Sequence, residues 1–243
     1  MPLLERAAFV REAWARRAEN AAFRAAHPGV PMPPLRWMHN MYAHASFALY
    51  WQSGRVHAAE VAALLAAHLG PGRHRVAEWG CGMGRILRHL ADVHAVRGYD
   101  YNPAAVRWCA ANLEGAYARN GLMPPLPQGA GTLDAVLAVS VLTHLSEAAH
   151  AAWAAEVARV LRPGGVAILT VHGAPAPGQL LPEEAARFAR GEIVVRGRVR
   201  EGGRTYAAYQ PEAYMRRLLA GARLEAAAEP SPGLGQTVWV ARR

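Results

Sequence analysis

Glu78 and three alternating glycines, Gly80, Gly82 and Gly84, stand in the stretch VAEWGCGMGR (residues 76–85), directly after a short apolar run. Glycine has no Cβ, so a turn built this way lets a ligand come close to the backbone. Beyond it, Ile86, Leu87 and Leu90 are spaced as on a helix. That spacing puts the glycines at a helix N-terminus, whose free N–H groups suit a nucleotide or an amino-acid carboxylate. About 20 positions further on, the apolar stretch 93–100 reads as a second buried strand ending in Asp100, where a carboxylate can accept hydrogen bonds from both hydroxyls of a ribose. The alternative role for Asp100 is to cap the following helix, which Asn102 and Pro103 open.

Two further runs carry chemistry at their carboxyl ends. TLDAVLAVSVLTHL (132–145) is apolar enough for the middle of a parallel sheet and ends in Ser140, Thr143 and His144. VAILTVHG (166–173) ends at His172. Ligands of open α/β sheets bind outside the carboxyl ends of the strands, so these residues face the site. Either histidine could take a proton from a reacting hydroxyl or amine. His172 ranks first as that base, and His144 second, because a histidine at its place can instead bond backbone and shape the pocket.

The elements between these residues are helices at 104–113, 147–161 and 211–219, a weaker strand at 115–121, and a last strand pair at 222–228 and 236–241. The spacing GxGxG after an acidic residue departs from the dinucleotide fingerprint GxGxxG. ExGxGxG, with SVLTHL, the helix behind it and VLRPGG, instead resembles class I S-adenosylmethionine-dependent methyltransferases of the small-molecule type, over roughly residues 76–172. The resemblance implies a Rossmann-like α/β fold, with a seven-stranded, mostly parallel sheet and an antiparallel terminal strand. It implies S-adenosyl-L-methionine as cofactor, bound by Glu78, Gly80, Cys81, Gly82, Gly84, Asp100, Tyr101, Asn120 and Ser140. Asn120 matches the place where a polar residue meets the adenine edge, although Asn120-Gly121 is equally a turn signal. No metal is expected, because a sulfonium carries its methyl as an electrophile already.

Residues 1–70 read as an N-terminal helical extension and 71–243 as the methyltransferase domain, with an inserted hairpin or lid at about 173–210. In the extension, 3–26 reads as one amphipathic helix carrying Phe9, Trp14 and Phe23. It could serve a homodimer contact or cover the active site. A proline-rich linker follows, then an aromatic segment whose Tyr42, His44, Tyr50, Trp51 and Arg55 are candidates for the acceptor pocket, and a helix at 56–69. In the insertion, Arg196, Arg198, Arg200 and Arg204 could clamp an anion or simply form a solvated face.

The formal charge is +9, yet every basic residue is arginine and none is lysine, which looks like a codon-composition bias and weakens the case for a nucleic-acid partner. Two cysteines, Cys81 and Cys109, make neither a disulfide framework nor a zinc spacing, so a reducing compartment is expected. Charges interrupt the first apolar stretch, and no window suits a membrane span, so the expectation is a cytoplasmic protein acting on a small molecule. Other readings stay open: an RNA or protein methyltransferase, a nicotinamide-dependent oxidoreductase, or a non-catalytic nucleotide-binding module. The run 132–145 ends in SVLTHL and lacks the Asn/Asp-Pro-Pro-Tyr/Phe ending of enzymes that methylate base amines, and GxGxxG is missing.

Overall fold

The computed structural model describes residues 3–243; Met1 and Pro2, the first residues of the extension read over 1–70, lie outside the described residues. Four helices come first: α1 (Leu3–Ala15), α2 (Arg17–Ala26), α3 (Leu35–Tyr42) and α4 (Phe47–Leu69). The single helix expected over 3–26 is broken at Arg16, whose backbone leaves helical geometry (φ −89°, ψ 2°). On either side of the break, polar residues grip the loop that opens α4. Glu12 accepts from the Ala45 N–H, Asn20 accepts from Phe47 N–H and donates to Ala45 O, and Ser46 donates to Glu19. Phe23, Met38, Phe47 and Tyr50 then form a small buried cluster beneath these helices.

The remainder alternates strand and helix: β1 (Arg75–Trp79), β2 (Ala95–Asp100), α5 (Pro103–Asn112), β3 (Ala116–Arg119), β4 (Leu133–Ala138), α6 (Glu147–Val160), β5 (Leu161–Val171), α7 (Pro182–Ala189), β6 (Val194–Arg196), β7 (Ala207–Tyr209), α8 (Glu212–Gly221), β8 (Glu225–Glu229) and β9 (Thr237–Arg242). Seven strands form one sheet in the order β3-β2-β1-β4-β5-β9-β8, and β9 runs antiparallel to both neighbours. This is the Rossmann-like, mostly parallel sheet that the sequence leads one to expect. All six residues of β4 are buried, as a central strand covered on both faces requires. Trp79 and Trp153 stack at 4.2 Å on one face of the sheet, while Val61, Leu65, Ile86 and Leu87 fill the other.

Two local expectations need correction. The segment after the glycines is no α-helix but a series of turns with a 3-10 turn at Leu87–His89. Its apolar residues keep their inward spacing, yet α4 lies so close that a Cβ on Gly54 would sit 2.3 Å from Arg85 O. The excursion 173–210 holds the expected β6–β7 hairpin and also α7, which proline at the first helical position and Glu183 and Glu184 in the first turn favour.

Asp134, at the opposite end of β4 from the site, accepts from the Arg75 backbone N–H and side chain and from Arg162. Burial alone would raise its carboxyl, but those hydrogen bonds outweigh burial and hold it well below the ordinary carboxylate range. A depressed folded-state value adds stability above the unfolded-state pKa, and that stability disappears as pH falls. Asp134→Asn should therefore lower the urea midpoint at pH 7, and the gap from the parent should close as pH falls below about 4. A pH-independent gap in the denaturation series would contradict this.

Candidate functional site

The turn after β1 is held from behind, where the Gly80 and Cys81 N–H groups both donate to Tyr99 O at 2.7 and 3.0 Å. Gly82 adopts φ +53°, a conformation that side chains with a Cβ rarely take, and a Cβ there would lie 2.6 Å from Tyr42 Oη. Its N–H points at β2 and donates to Asp100 Oδ2 at 2.8 Å, while the Asn102 N–H donates to Oδ1 at 2.8 Å. Asn102 itself caps α5, so the capping role falls to Asn102 and leaves Asp100 to the site. Burial raises the Asp100 carboxyl, and the two N–H groups oppose the rise. Each oxygen keeps a lone pair free, enough for a vicinal diol.

Asn120 follows β3 and is buried; its Nδ2 donates to Gly121 O at 2.6 Å, but its Oδ1 is buried without a partner. A buried acceptor left unpaired calls for a donor from a ligand, and an exocyclic amine would supply one. Ser140 follows β4 in the left-handed region at φ +59°, a strained place for a non-glycine residue. Its N–H donates to Thr170 Oγ1 at 2.8 Å, and its Oγ lies 3.0 Å from Thr143 Oγ1 and accepts from Gln236 Nε2 at 3.0 Å. These bonds hold the strained turn in place.

The turns surround a cavity of about 650 Å³ at the carboxyl ends of the strands. Of the residues expected at the site, Gly80, Gly82, Asp100, Tyr101, Asn120, Ser140, His144 and Tyr42 line it. Glu78, Cys81 and Gly84 are not on its wall. Cys81 and Gly84 pack beneath the turn, where a Cβ on Gly84 would meet Leu113 Cδ1 at 2.3 Å, so that glycine serves α5 packing. Glu78 is buried behind the turn, its Oε2 unpartnered; burial pushes it up to about 8, opposed by the Arg85 charge and the Leu87 N–H.

The two histidines are placed differently. His172 lies off the cavity wall, its Nδ1 bonded to Ala208 O at 3.2 Å and its N–H to Gln210 Oε1 at 3.1 Å, because β7 packs over the end of β5. His144, in the turn after β4, is on the wall with Nδ1 2.7 Å from Tyr206 O. A carbonyl only accepts, so the proton sits on Nδ1 and Nε2 carries the lone pair. Burial first, then the Arg204 charge, pull the His144 pKa down, opposed by the Tyr206 bond.

His44, Tyr50, Trp51 and Arg55 are likewise absent from the wall; Tyr50 is fully buried and donates to Met83 O at 2.7 Å. Arg85, His57 and Gln236 are wall residues that the sequence reading did not single out. Arg85 Nη2 lies 3.2 Å from His57 Nδ1, and no ion pair engages Arg85 among the described residues. It could hold a carboxylate at the glycine end of the cavity. His57 is pushed down to about 4 by burial and by Arg85. A basic residue directly after the last glycine was the available signal for Arg85; none pointed to Gln236.

These features fit an adenosine carrying an amino-acid tail: a cradle that a Cβ at Gly82 would fill, a carboxylate with spare lone pairs, and an orphan acceptor at Asn120. Asp100→Ala should weaken S-adenosylhomocysteine binding by about 1.5–3 kcal/mol, the range for hydrogen bonds to a charged group. Calorimetry returning the parent affinity would take Asp100 out of the site.

Residues 76–165 match a family model described as a methyltransferase domain. A probable S-adenosylmethionine-dependent methyltransferase of Mycolicibacterium smegmatis is 37% identical over 105 residues, which cover 43% of this chain and 40% of that protein. The match thus spans two fifths of the relative's length. In fold, the chain is similar to SAM-bound CalS10, an amino pentose methyltransferase of Micromonospora echinaspora (TM-score 0.60, 19% identity, 91% of this chain and 96% of that one). It is also similar to the 1,6-didemethyltoxoflavin-N1-methyltransferase of Burkholderia thailandensis (TM-score 0.53, 19% identity, 88% and 92%).

Proposed function

We propose that this chain, whose residues 76–165 match a methyltransferase-domain model, is a class I S-adenosylmethionine-dependent methyltransferase that transfers a methyl group to the oxygen, nitrogen or carbon nucleophile of a small molecule. The observation that carries the reading is His144 on the cavity wall, with its proton held on Nδ1 by Tyr206 O, which leaves the lone pair on Nε2. Asp100, Asn120 and Gly82 would hold the adenosine of the cofactor, and Arg85 its carboxylate. The bound cofactor supplies a methyl on a sulfonium, an electrophile needing no metal.

The rest is positioning. Ser140, in its strained turn, lines the cavity, and an acceptor held at near-attack distance needs little else from the protein. Where the acceptor is a hydroxyl or a protonated amine, Nε2 of His144 takes its proton. His172, the other candidate base, is bonded to Ala208 O in β7. Trp37, Asn40 and Tyr42 bring α3 to the cavity and give the N-terminal helices a part in acceptor recognition.

A cavity of about 650 Å³, partly open to solvent, is of the size that small-molecule sites have. Of the hairpin arginines, Arg196 is paired with Glu184, Arg198 and Arg200 are exposed and do not line the cavity, and Arg204 does line it. No helix among the described residues is long and apolar enough to cross a membrane. The test is incubation with methyl-labelled S-adenosylmethionine and a cell extract divided into small-molecule, RNA and protein fractions. Label is expected in the small-molecule fraction; label confined to RNA or protein would overturn the acceptor class.

A further inference from the structure

The loop joining β6 to β7, residues 197–206, forms the roof of the cavity through Gly202, Gly203 and Arg204. Four hydrogen bonds tie it down, and they reach both halves of the site. Tyr101, the residue after Asp100, donates its hydroxyl to Gly202 O at 2.9 Å. The Gly202 N–H donates to His144 O at 2.9 Å. Glu201 Oε1 accepts from the Ser146 N–H at 2.6 Å, and Tyr206 O accepts from His144 Nδ1 at 2.7 Å. The loop lies flat on Tyr101 and Leu122: a Cβ on Gly202 would come within 2.8 Å of Leu122 Cδ1 and 3.6 Å of Tyr101 Cζ.

We infer that Tyr101 and Glu201 are positioning residues for His144: by pinning this loop they hold the Tyr206 carbonyl against the imidazole, so one segment both covers the cofactor and orients the base. The inference rests on the reading of His144 as the base. It adds that the base is set only when the roof is closed, and that the cofactor-side tyrosine helps to close it. With the loop released, Nδ1 loses its carbonyl, either nitrogen can carry the proton, and water reaches the ring. The other charged or titratable groups facing His144 are Arg204, on the same loop, and His172, at the end of β5. Release would remove the Tyr206 bond, which raises the imidazole, but would also relieve burial, the largest influence, and carry Arg204 away; burial outweighs the bond, so the imidazole would titrate nearer its ordinary value.

Tyr101→Phe keeps the ring that faces the cofactor and removes only the hydroxyl, while Glu201→Ala removes the second tie. Hydrogen–deuterium exchange of residues 197–206 in the protein without cofactor should quicken about three- to tenfold in each variant, and further in the double variant, as expected for the loss of one hydrogen bond at a time. Release of S-adenosylhomocysteine, followed by stopped flow, should quicken by a similar factor. The acid limb of the pH–rate profile should move upward towards the ordinary histidine range. Unchanged exchange in both single variants would overturn the inference, as would faster exchange with an unmoved pH limb and unmoved ligand release. A parent protein that binds no S-adenosylhomocysteine would defeat the functional reading instead, and the exchange data would still decide whether Tyr101 and Glu201 tie the loop.

Discussion

Gly82→Val should abolish binding of S-adenosylhomocysteine while the protein keeps its fold. At φ +53° the position lies in the left-handed region, where a β-branched residue is strained, and the new Cβ would stand 2.6 Å from Tyr42 Oη. Tyr42 cannot simply withdraw, because its Oη accepts the Met83 N–H at 3.0 Å and its ring packs edge-on against Tyr50 at 5.4 Å. The turn must give way instead. When it moves, the Gly82 N–H leaves Asp100, and the wall that would carry the ribose is lost along with the space above it. An affinity loss of more than about 100-fold, or ~2.7 kcal/mol, is expected by calorimetry, with far-ultraviolet circular dichroism unchanged. Gly82→Ala should fall between the two, since it brings the Cβ without the branches. A valine variant that binds within about threefold of the parent would show that the turn is not the cofactor floor.

That turn was legible in the sequence because it is local: an apolar strand, an acidic residue and alternating glycines need no knowledge of the rest of the chain. Asp100 and Ser140 were legible for a related reason. Each stands at the carboxyl end of a buried strand, and parallel sheets gather such ends on one edge. What the sequence did not disclose depends on contacts between distant segments. Gln236 reaches Ser140 only because β9 inserts antiparallel beside β5, which brings the connection before it to the sheet edge. Ile86, Leu87 and Leu90 have helical spacing, but α4 packs too closely on Arg85 for spacing alone to fix the backbone. Glu78 belongs to the motif yet is buried and absent from the cavity wall, whereas its neighbour Trp79 lines it; alternation along β1 sends the two to opposite faces. The different settings of His172 and His144 have the same origin. Strand position puts both at the edge, and only the packing of β7 over His172 separates them.

The choice between the two histidines predicts a large kinetic difference. In His144→Gln, kcat should fall about 10²- to 10⁴-fold, the usual contribution of a positioned base, with acceptor KM little changed. The glutamine can still donate to Tyr206 O, so the loop stays in place and the loss reports proton transfer. In the parent, the base works in its neutral form, and burial together with Arg204 holds its pKa below the ordinary 6.5. kcat/KM should therefore be flat near neutral pH and fall as pH drops through that lowered value, where protonation removes the Nε2 lone pair. His172→Gln should retain this acid limb, because His172 lies off the cavity wall with its own Nδ1 on Ala208 O. An inflection that survives in His144→Gln and disappears in His172→Gln would return the base to the fifth strand. It would also mean that β7 must swing away from His172 before the acceptor can react.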